Sequence, residues 1–434
     1  MKIKTKIADY EAVMSLPRAR HKPPRRPGIL FRSLVRLLAT KDLRETDFTY
    51  TIDGAAAEAL RSPCLILMNH SSFIDLEIVS KILYPMPYGI VCTSDGFVGK
   101  EWLMRQIGCI PTQKFVPDAT LIGDIQYALA KKRCHVLMYP EASYSFDGCA
   151  TALPDHLGSL FRRLHCPVVM IRTTGAFARD PLYNGLQKRR VKVSAAVSLL
   201  VSRQECDTLP PAAVQERLTR AFDFDNFAEQ SEKAIEIRED FRADGLERIL
   251  YKCAACGAED GMTGKGVSLV CARCGKKYTM TPLGKMEAED GQTEFAHIPD
   301  WYRWERACVK REIDAGEYRI DTEVSIGVMV NYDAIYMVGD GRLTHTEEGF
   351  TLTGCGGRIL YRQKPQSSYG LYADYFWYEI GDMICIGNRD CLYYCFPKGK
   401  CPVAKARMAA EELYRRAKQR LRAPSEPSVS QSHG

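Results

Sequence analysis

Nowhere in these 434 residues is there a run of about 20 apolar side chains, the length a helix needs to cross a bilayer, so no transmembrane span is expected. The opening Met1-Lys2-Ile3-Lys4-Thr5-Lys6 lacks the apolar core of a secretory signal, which points to a cytoplasmic chain. A nucleotide phosphate loop is missing too: Gly96-Phe97-Val98-Gly99-Lys100 has the wrong spacing and reads as the start of a helix. No internal repeat occurs, which excludes solenoids and propellers. The formal net charge of +7 is mild, but it is unevenly spread. Basic residues crowd the stretch from Arg18 to Arg36 and again from Arg415 to Arg422, and such runs form solvated faces or attract anionic surfaces.

Cysteine, in contrast, is abundant, with 17 residues. Without a secretory signal this fits a reducing compartment. Four of them form Cys253-Ala254-Ala255-Cys256 and Cys271-Ala272-Arg273-Cys274, two C-x2-C pairs that enclose fourteen residues. Two tight turns of this kind offer four thiolates to one tetrahedral ion, and Gly257 and Gly275 suit the turns that follow each pair. Four protein ligands leave no open position for water, so a structural zinc is expected rather than a catalytic one. The ribbon's mixed charges, Glu259 and Asp260 beside Lys265, Lys276 and Lys277, argue against nucleic acid as a partner. It reads as an interaction or spacer module. Cys385, Cys391, Cys395 and Cys401 lie across strand-like runs and read as buried free thiols.

The residues that carry chemistry sit in Asn69-His70-Ser71-Ser72-Phe73-Ile74-Asp75, directly after the apolar run Cys64–Met68 and before the helix-like Leu76–Leu83. A strand, a polar turn and a helix in that order present the turn at the carboxyl edge of a sheet, where α/β enzymes build their sites. Two readings fit. In one, Asp75 holds one imidazole nitrogen of His70 and leaves the other to take a proton from a hydroxyl. In the other, both side chains cap the following helix.

This block and three later ones, taken in order, resemble the glycerolipid acyltransferase family, the lysophosphatidate (1-acylglycerol-3-phosphate) acyltransferases and their relatives. Asn69–Asp75 is similar to the family's His-x4-Asp block, and Gly108-Cys109-Ile110-Pro111-Thr112-Gln113-Lys114 resembles the block that holds the acceptor's phosphate, with Lys in place of Arg. Tyr139-Pro140-Glu141-Ala142-Ser143-Tyr144-Ser145 looks like the Phe-Pro-Glu-Gly-Thr-Arg-Ser block, with Tyr144 where the family has Arg and Ala142 where it has Gly. Cys166–Ile171 resembles the last block, a Pro followed by an apolar strand. The resemblance spans about residues 45–200.

It implies acyl transfer from acyl-CoA or acyl-carrier protein to the hydroxyl of a lysophospholipid in phospholipid biosynthesis, with His70 as general base and Asp75 as its orienter. Asn69, Ser72, Gly108, Lys114, Pro140, Glu141 and Ser143 are then the implied substrate-binding residues. Direct transfer requires no acyl-enzyme and no cysteine nucleophile. The departures at Lys114 and Tyr144 open a second acceptor, a lipid without phosphate. A non-catalytic lipid-binding or scaffold protein remains the alternative of another class.

The rest of the chain divides by pattern. Residues 1–44 form a basic amphipathic segment, in which Ile29, Leu30, Leu34, Leu37 and Leu38 share a helical side. It either lies on an anionic membrane surface, on the inner face, or packs on its own domain. The α/β acyltransferase-like domain, a mixed sheet flanked by helices, covers 45–230. Helices and the zinc ribbon cover 231–315, with one helix expected over Glu232–Tyr251 and another over Trp301–Ile313. From 316 to 422, seven short β-rich runs and a closing helix, Val403–Arg422, resemble a pleckstrin-homology-like barrel, which leaves room for a protein partner. The Ser- and Pro-rich tail, 423–434, reads as disordered.

Overall fold

The computed structural model describes residues 2–422, and the tail lies outside them. The chain opens with β1 (Thr5–Ile7), which joins a sheet built much later, and then forms seven strands of one mixed sheet. These are β2 (Thr49–Ile52), β3 (Leu65–Met68), β4 (Tyr88–Thr93), β5 (Cys109–Thr112), β6 (His135–Met138), β7 (Val168–Thr174) and β8 (Ser194–Val201), in the order β2-β8-β7-β3-β6-β4-β5. Only β7 and β8 run antiparallel. Every residue of β3 is buried, as befits a strand covered on both faces and therefore apolar throughout. Parallel β3, β4, β5 and β6 end at one edge, which brings the segments after them, with His70, Ser94, Lys114 and Pro140, to a common rim.

The helix Asp75–Leu83 follows that turn and packs against the helix Ile29–Glu45, which buries Ala39 and Leu43. The packing alternative for the N-terminal segment is met on one face of this helix. One side of the helix packs on its own domain while Leu30 (81% exposed), Leu34, Leu37 and Leu38 face outward. Among the described residues no helix is long and apolar enough to cross a membrane.

The stretch Glu232–Tyr251 does not form the expected helix. A helix ends at Glu232, and beyond it only the short 3-10 turn Leu246–Arg248 is helical. Its apolar residues are buried by tertiary contact instead, and backbone bonds reach outward: Ala243 N–H donates to Gly266 O at 2.9 Å and Gly245 N–H to Gly264 O at 3.3 Å. Gly245, at φ +75°, lies against Tyr183 O, where a Cβ would sit 2.3 Å away, so helical continuation is blocked.

That stretch cradles the small antiparallel sheet of the cysteine-rich segment, β9 (Met262–Lys265), β10 (Ser268–Cys271), β11 (Lys277–Met280) and β12 (Met286–Ala288). The segment is no detached module. Leu269, Tyr278 and Met286 are fully buried in one core with Trp301, whose indole donates to Lys252 O at 2.9 Å. Trp301 belongs to the helix Ile298–Asp314, which brackets the expected one.

All seven β-rich runs beyond it are strands: β13 (Ile320–Met329), β14 (Ile335–Thr346), β15 (Gly349–Gly354), β16 (Ile359–Gln363), β17 (Tyr372–Trp377), β18 (Gly381–Gly387) and β19 (Leu392–Pro397). They form an antiparallel path β16-β15-β14-β13-β19-β18-β17, to which β1 adds in parallel along the start of β14. The path stays open, because edge strands β16 and β17 do not pair. The closing helix Val403–Arg422 packs on β17, β18 and the segment Pro365–Ser367.

Two buried histidines in these sheets are neutral. His345 stacks on Phe350 at 3.6 Å and bonds the Tyr318 hydroxyl at 2.8 Å, and burial lowers it to about 3. Burial lowers His135, on β6, to about 4. Below the ordinary imidazole value the unfolded chain binds protons that the folded chain refuses, so stability is lost as pH falls from about 6.5 toward 4. Each histidine contributes a slope of about 1.4 kcal/mol per pH unit in that window. Buried carboxyls with raised values, Asp75 and Glu141 among them, act on the total slope in the opposite sense, so the test is the difference. In chemical denaturation at pH 7.5, 6 and 5, His345→Gln should lose one proton's worth of the acid-destabilising slope relative to the wild type, and an unchanged slope contradicts the assignment.

Candidate active site

Asp75 does not act as a cap of the helix it begins. It is buried, and its Oδ2 accepts from the amides of Ser71 (2.9 Å) and Ser72 (3.2 Å), which precede the helix, while the helix's own cap residue, Ile74, makes no side-chain bond. The same oxygen lies 3.0 Å from His70 Nδ1. Asp75 therefore closes the turn around His70 and does not cap the helix that it begins. With Nδ1 engaged, Nε2 is the nitrogen left for chemistry, and His70 lines a cavity of about 1460 Å³.

Burial governs the protonation of this pair. It lowers His70 well below a free imidazole, with the charge of Lys114 adding to the effect. It pushes Asp75 up to about 8, against the pull of the Ser71 and Ser72 amides. Both shifts have one meaning: burial disfavours charge on either group.

Glu141 reaches across from the loop after β6. One oxygen accepts from His70 N–H at 3.0 Å; the other accepts from the amide and hydroxyl of Thr151, both at 3.0 Å. Burial raises its carboxyl to about 7. Both oxygens are spent, so Glu141 holds two loops together and does not line the cavity. Asn69 is likewise spent: its amide bonds Thr173 and Ser71 and ties the turn to β7. Gly108, at φ +89°, stands where a Cβ would meet Tyr88 O at 2.8 Å, so it serves a close backbone approach. Of the remaining residues implied by the family resemblance, Ser72, Lys114 and Pro140 line the cavity, and Ser143 is buried outside it.

Lys114 Nζ lies 4.3 Å from the centroid of the Tyr372 ring. Burial lowers its pKa, while the nearby charges of Asp374 and Asp95 raise it. Arg248 lines the cavity, its guanidinium 4.1 Å from the Phe376 ring centroid, whereas three other arginines are committed elsewhere. Arg105 holds Glu101 at 2.8 Å, Arg172 pairs with Glu229, and Arg179 is buried between Asp42 (3.0 Å) and Asp180 (3.1 Å). None of the three lines the cavity.

Sequence reasoning missed two groups. Tyr139 and Tyr144 sandwich the His70 ring at centroid distances of 4.0 and 4.1 Å. They were visible only as departures from a motif. The opposite wall comes from β17 and the turn beyond it, with Tyr372, Asp374, Tyr375, Phe376, Trp377 and Tyr378. The signal there was the aromatic density of Tyr372–Tyr378 itself, more than a strand facing solvent needs.

The four cysteines form a separate centre. Cys253 and Cys274 sulfurs lie 3.8 Å apart, as do those of Cys256 and Cys271, and all four lie within 4.8 Å of one another. A tetrahedral ion with arms of about 2.3 Å needs sulfurs about 3.8 Å apart, so the donor set fits one metal ion. Gly257 and Gly275, at φ +74° and +76°, turn the chain after each pair, as the spacing requires. Among the described residues this is the one such cluster.

Comparison with known proteins agrees with the region, though not with the whole chain. Residues 50–173 match the family model described as Acyltransferase. No curated protein matches the sequence. Among solved structures the chain is similar to the 1-acyl-sn-glycerophosphate acyltransferase PlsC from Thermotoga maritima, at 11% identity and a TM-score of 0.37, covering 47% of this chain and 80% of that one.

Proposed function

We propose that this protein transfers a fatty acyl chain from acyl-CoA or acyl-carrier protein to a hydroxyl of a lysophospholipid, with His70 as general base. The observation that supports this most is the His70–Asp75 pair at the wall of a large cavity, within the matched region. His70 Nε2 takes the hydroxyl proton as the oxygen attacks the thioester carbon. The tetrahedral oxyanion then collapses, the C–S bond breaks, and the proton passes from His70 to the departing thiolate. A cysteine nucleophile is unnecessary. Cys92, in the cavity wall, is held as a thiol by its hydrogen bond to Cys109 and by burial. Leu103, Met104, Ile107, Leu157 and Leu160 give the cavity an apolar part suited to an acyl chain. The exposed leucines of the helix Ile29–Glu45 suit an anionic membrane surface on the cytoplasmic side, from which the lipid is drawn.

A second acceptor has an observation in its favour. Lys114 already faces the Tyr372 ring, with Asp374 and Asp95 nearby, and Tyr144 occupies the place of a phosphate-gripping Arg. A cation–π contact is worth about 0.5–2 kcal/mol and a charged hydrogen bond about 1.5–3, so a phosphate gains little by drawing Lys114 away. The acceptor then carries no phosphate near its reacting hydroxyl.

Zinc is the ion we assign to Cys253, Cys256, Cys271 and Cys274, where it would brace the core that contains Trp301 and supply no step of the reaction.

His70→Ala should lower turnover by roughly 10²–10⁴ in an acyl-transfer assay with the fold intact. Wild-type turnover in that variant eliminates the mechanism. The working form, a carboxylate beside a neutral imidazole, has a net charge that burial disfavours. It is therefore reached only as pH rises toward about 8, and kcat/KM falls as pH drops through that range. Asp75→Asn should abolish this limb along with most of the rate.

Lys114→Ala decides between acceptors. If phosphate is recognised, the variant raises the Michaelis constant for lysophosphatidate roughly ten- to a hundredfold and leaves the donor's constant alone. A wild-type preference for neutral lyso-lipids, unchanged by the substitution, rejects the lysophosphatidate reading.

Elemental analysis of the reduced protein should find one zinc per chain. Chelation should increase hydrogen exchange in residues 251–278 first. A protein that folds and resists chelators without any metal contradicts this assignment.

A further inference from the structure

A second cavity, of about 580 Å³, lies between the loop after Glu141, the helix Ile298–Asp314 and the closing helix. Five cationic side chains line it against three carboxyls. One of those carboxyls, Asp147, is pushed up by burial toward its neutral form. Arg306 and Arg407 share one acid, Glu411, at 2.6 and 3.4 Å. Arg303 and Arg415 are more than half exposed, and their partners Asp300 and Glu412 lie outside the cavity. Lys418 pairs with Asp155. Exposed pairs of this kind are worth about 0–1 kcal/mol, so a phosphate can recruit their guanidinium groups, which match it in a bidentate fork.

Two links join this cavity to the site. Thr151 lines it and bonds Glu141, which in turn bonds the His70 amide. Arg407 donates to Tyr144 O at 3.2 Å, and the Tyr144 ring lies on His70. Tyr369 and Tyr414 line both cavities, so the two adjoin. A large apolar cavity holding the base and a smaller basic one beside it suit a substrate with a reactive thioester at one end and phosphate at the other.

We propose that the second cavity receives the phosphate of a phosphopantetheine thioester, with Arg303, Arg306 and Arg415 as its cationic wall and the pantetheine arm running past Tyr369 and Tyr414 to His70. This rests on the acyl-transfer reading and adds to it where the donor docks. The phosphate ester is common to acyl-CoA and to acyl-carrier protein. Acyl-pantetheine, which lacks it, is the comparison probe.

The test uses the full-length protein and an Arg303→Ala/Arg415→Ala variant. In acyl transfer, the wild type should prefer acyl-CoA or acyl-carrier protein over acyl-pantetheine in kcat/KM, and the variant should lose about tenfold or more of that preference, through the donor's Michaelis constant. A matched loss with acyl-CoA assigns coenzyme A as the carrier; one seen only with the acyl-carrier protein assigns the protein. Calorimetric titration with coenzyme A and with the phosphopantetheine-bearing carrier protein, in the absence of acceptor, measures docking without turnover. Arginine-dependent binding with no acyl transfer rejects the proposed function and leaves the site. An unchanged preference, or binding that the variant leaves intact, overturns the site while acyl transfer stands.

Discussion

One buried carboxylate fixes the geometry on which the centre depends. Glu141 has no cation in contact, and it is held by three donors from two loops: the amide of His70, and the amide and hydroxyl of Thr151. Its removal would strand buried donors at about 1–3 kcal/mol each. That cost is distributed so that the turn after β3 and the loop after β6 cannot move independently. The strained Ala142, at φ +59°, immediately follows Glu141 and aims the chain so that Tyr144 returns over the His70 ring. Position, orientation and stacking of the His70 ring thus trace to one side chain that never touches the cavity.

The second half of the chain is part of the same construction. The strand β17 supplies the wall opposite His70, and Tyr372 places its hydroxyl 2.6 Å from Asp95, on the segment after β4. Tyr375 donates to Arg248 O, in the stretch that cradles the cysteine-rich sheet. That sheet shares a core with the C-terminal strands, so a metal held by its thiols braces the cavity's far wall at one remove. The N-terminus is drawn in as well, since β1 lengthens the C-terminal sheet and the helix Ile29–Glu45 backs the helix that starts at Asp75.

Legibility in the sequence followed the range of the interactions. The His70–Asp75 contact spans six residues, and each C-x2-C knuckle spans four, so local spacing already specified them. The seven C-terminal strands were legible because period-two patterning and Gly, Asp and Asn turns are local too. Glu232–Tyr251 shows the converse. Its apolar residues fit a helical stripe, but the chain buries them against the cysteine-rich hairpin, and backbone bonds from Ala243 to Gly266 and from Gly245 to Gly264 replace helical ones. The cavity's far wall lies some three hundred residues from His70 in sequence, and no pattern within either segment states that they meet. Asn69 and Glu141 were found as members of motifs, yet their positioning role depends on Thr173 and Thr151, partners that spacing does not reveal.

Tyr144 stands where the resembled motif has Arg, and the exchange changes the electrostatics beside His70. A guanidinium beside His70 would oppose protonation of the imidazole, as Lys114 does already. Two phenol rings have the opposite effect. Their π faces, at 4.0 and 4.1 Å, favour a cation between them by about 0.5–2 kcal/mol, and more as water is excluded. In the proposed reaction, burial would keep the resting imidazole neutral and so ready to accept a proton, while the rings and the Asp75 carboxylate would stabilise the imidazolium formed as it does so. On that proposal the stabilisation would be concentrated where charge develops, in the transition state rather than the resting form, which is the distribution that lowers a barrier.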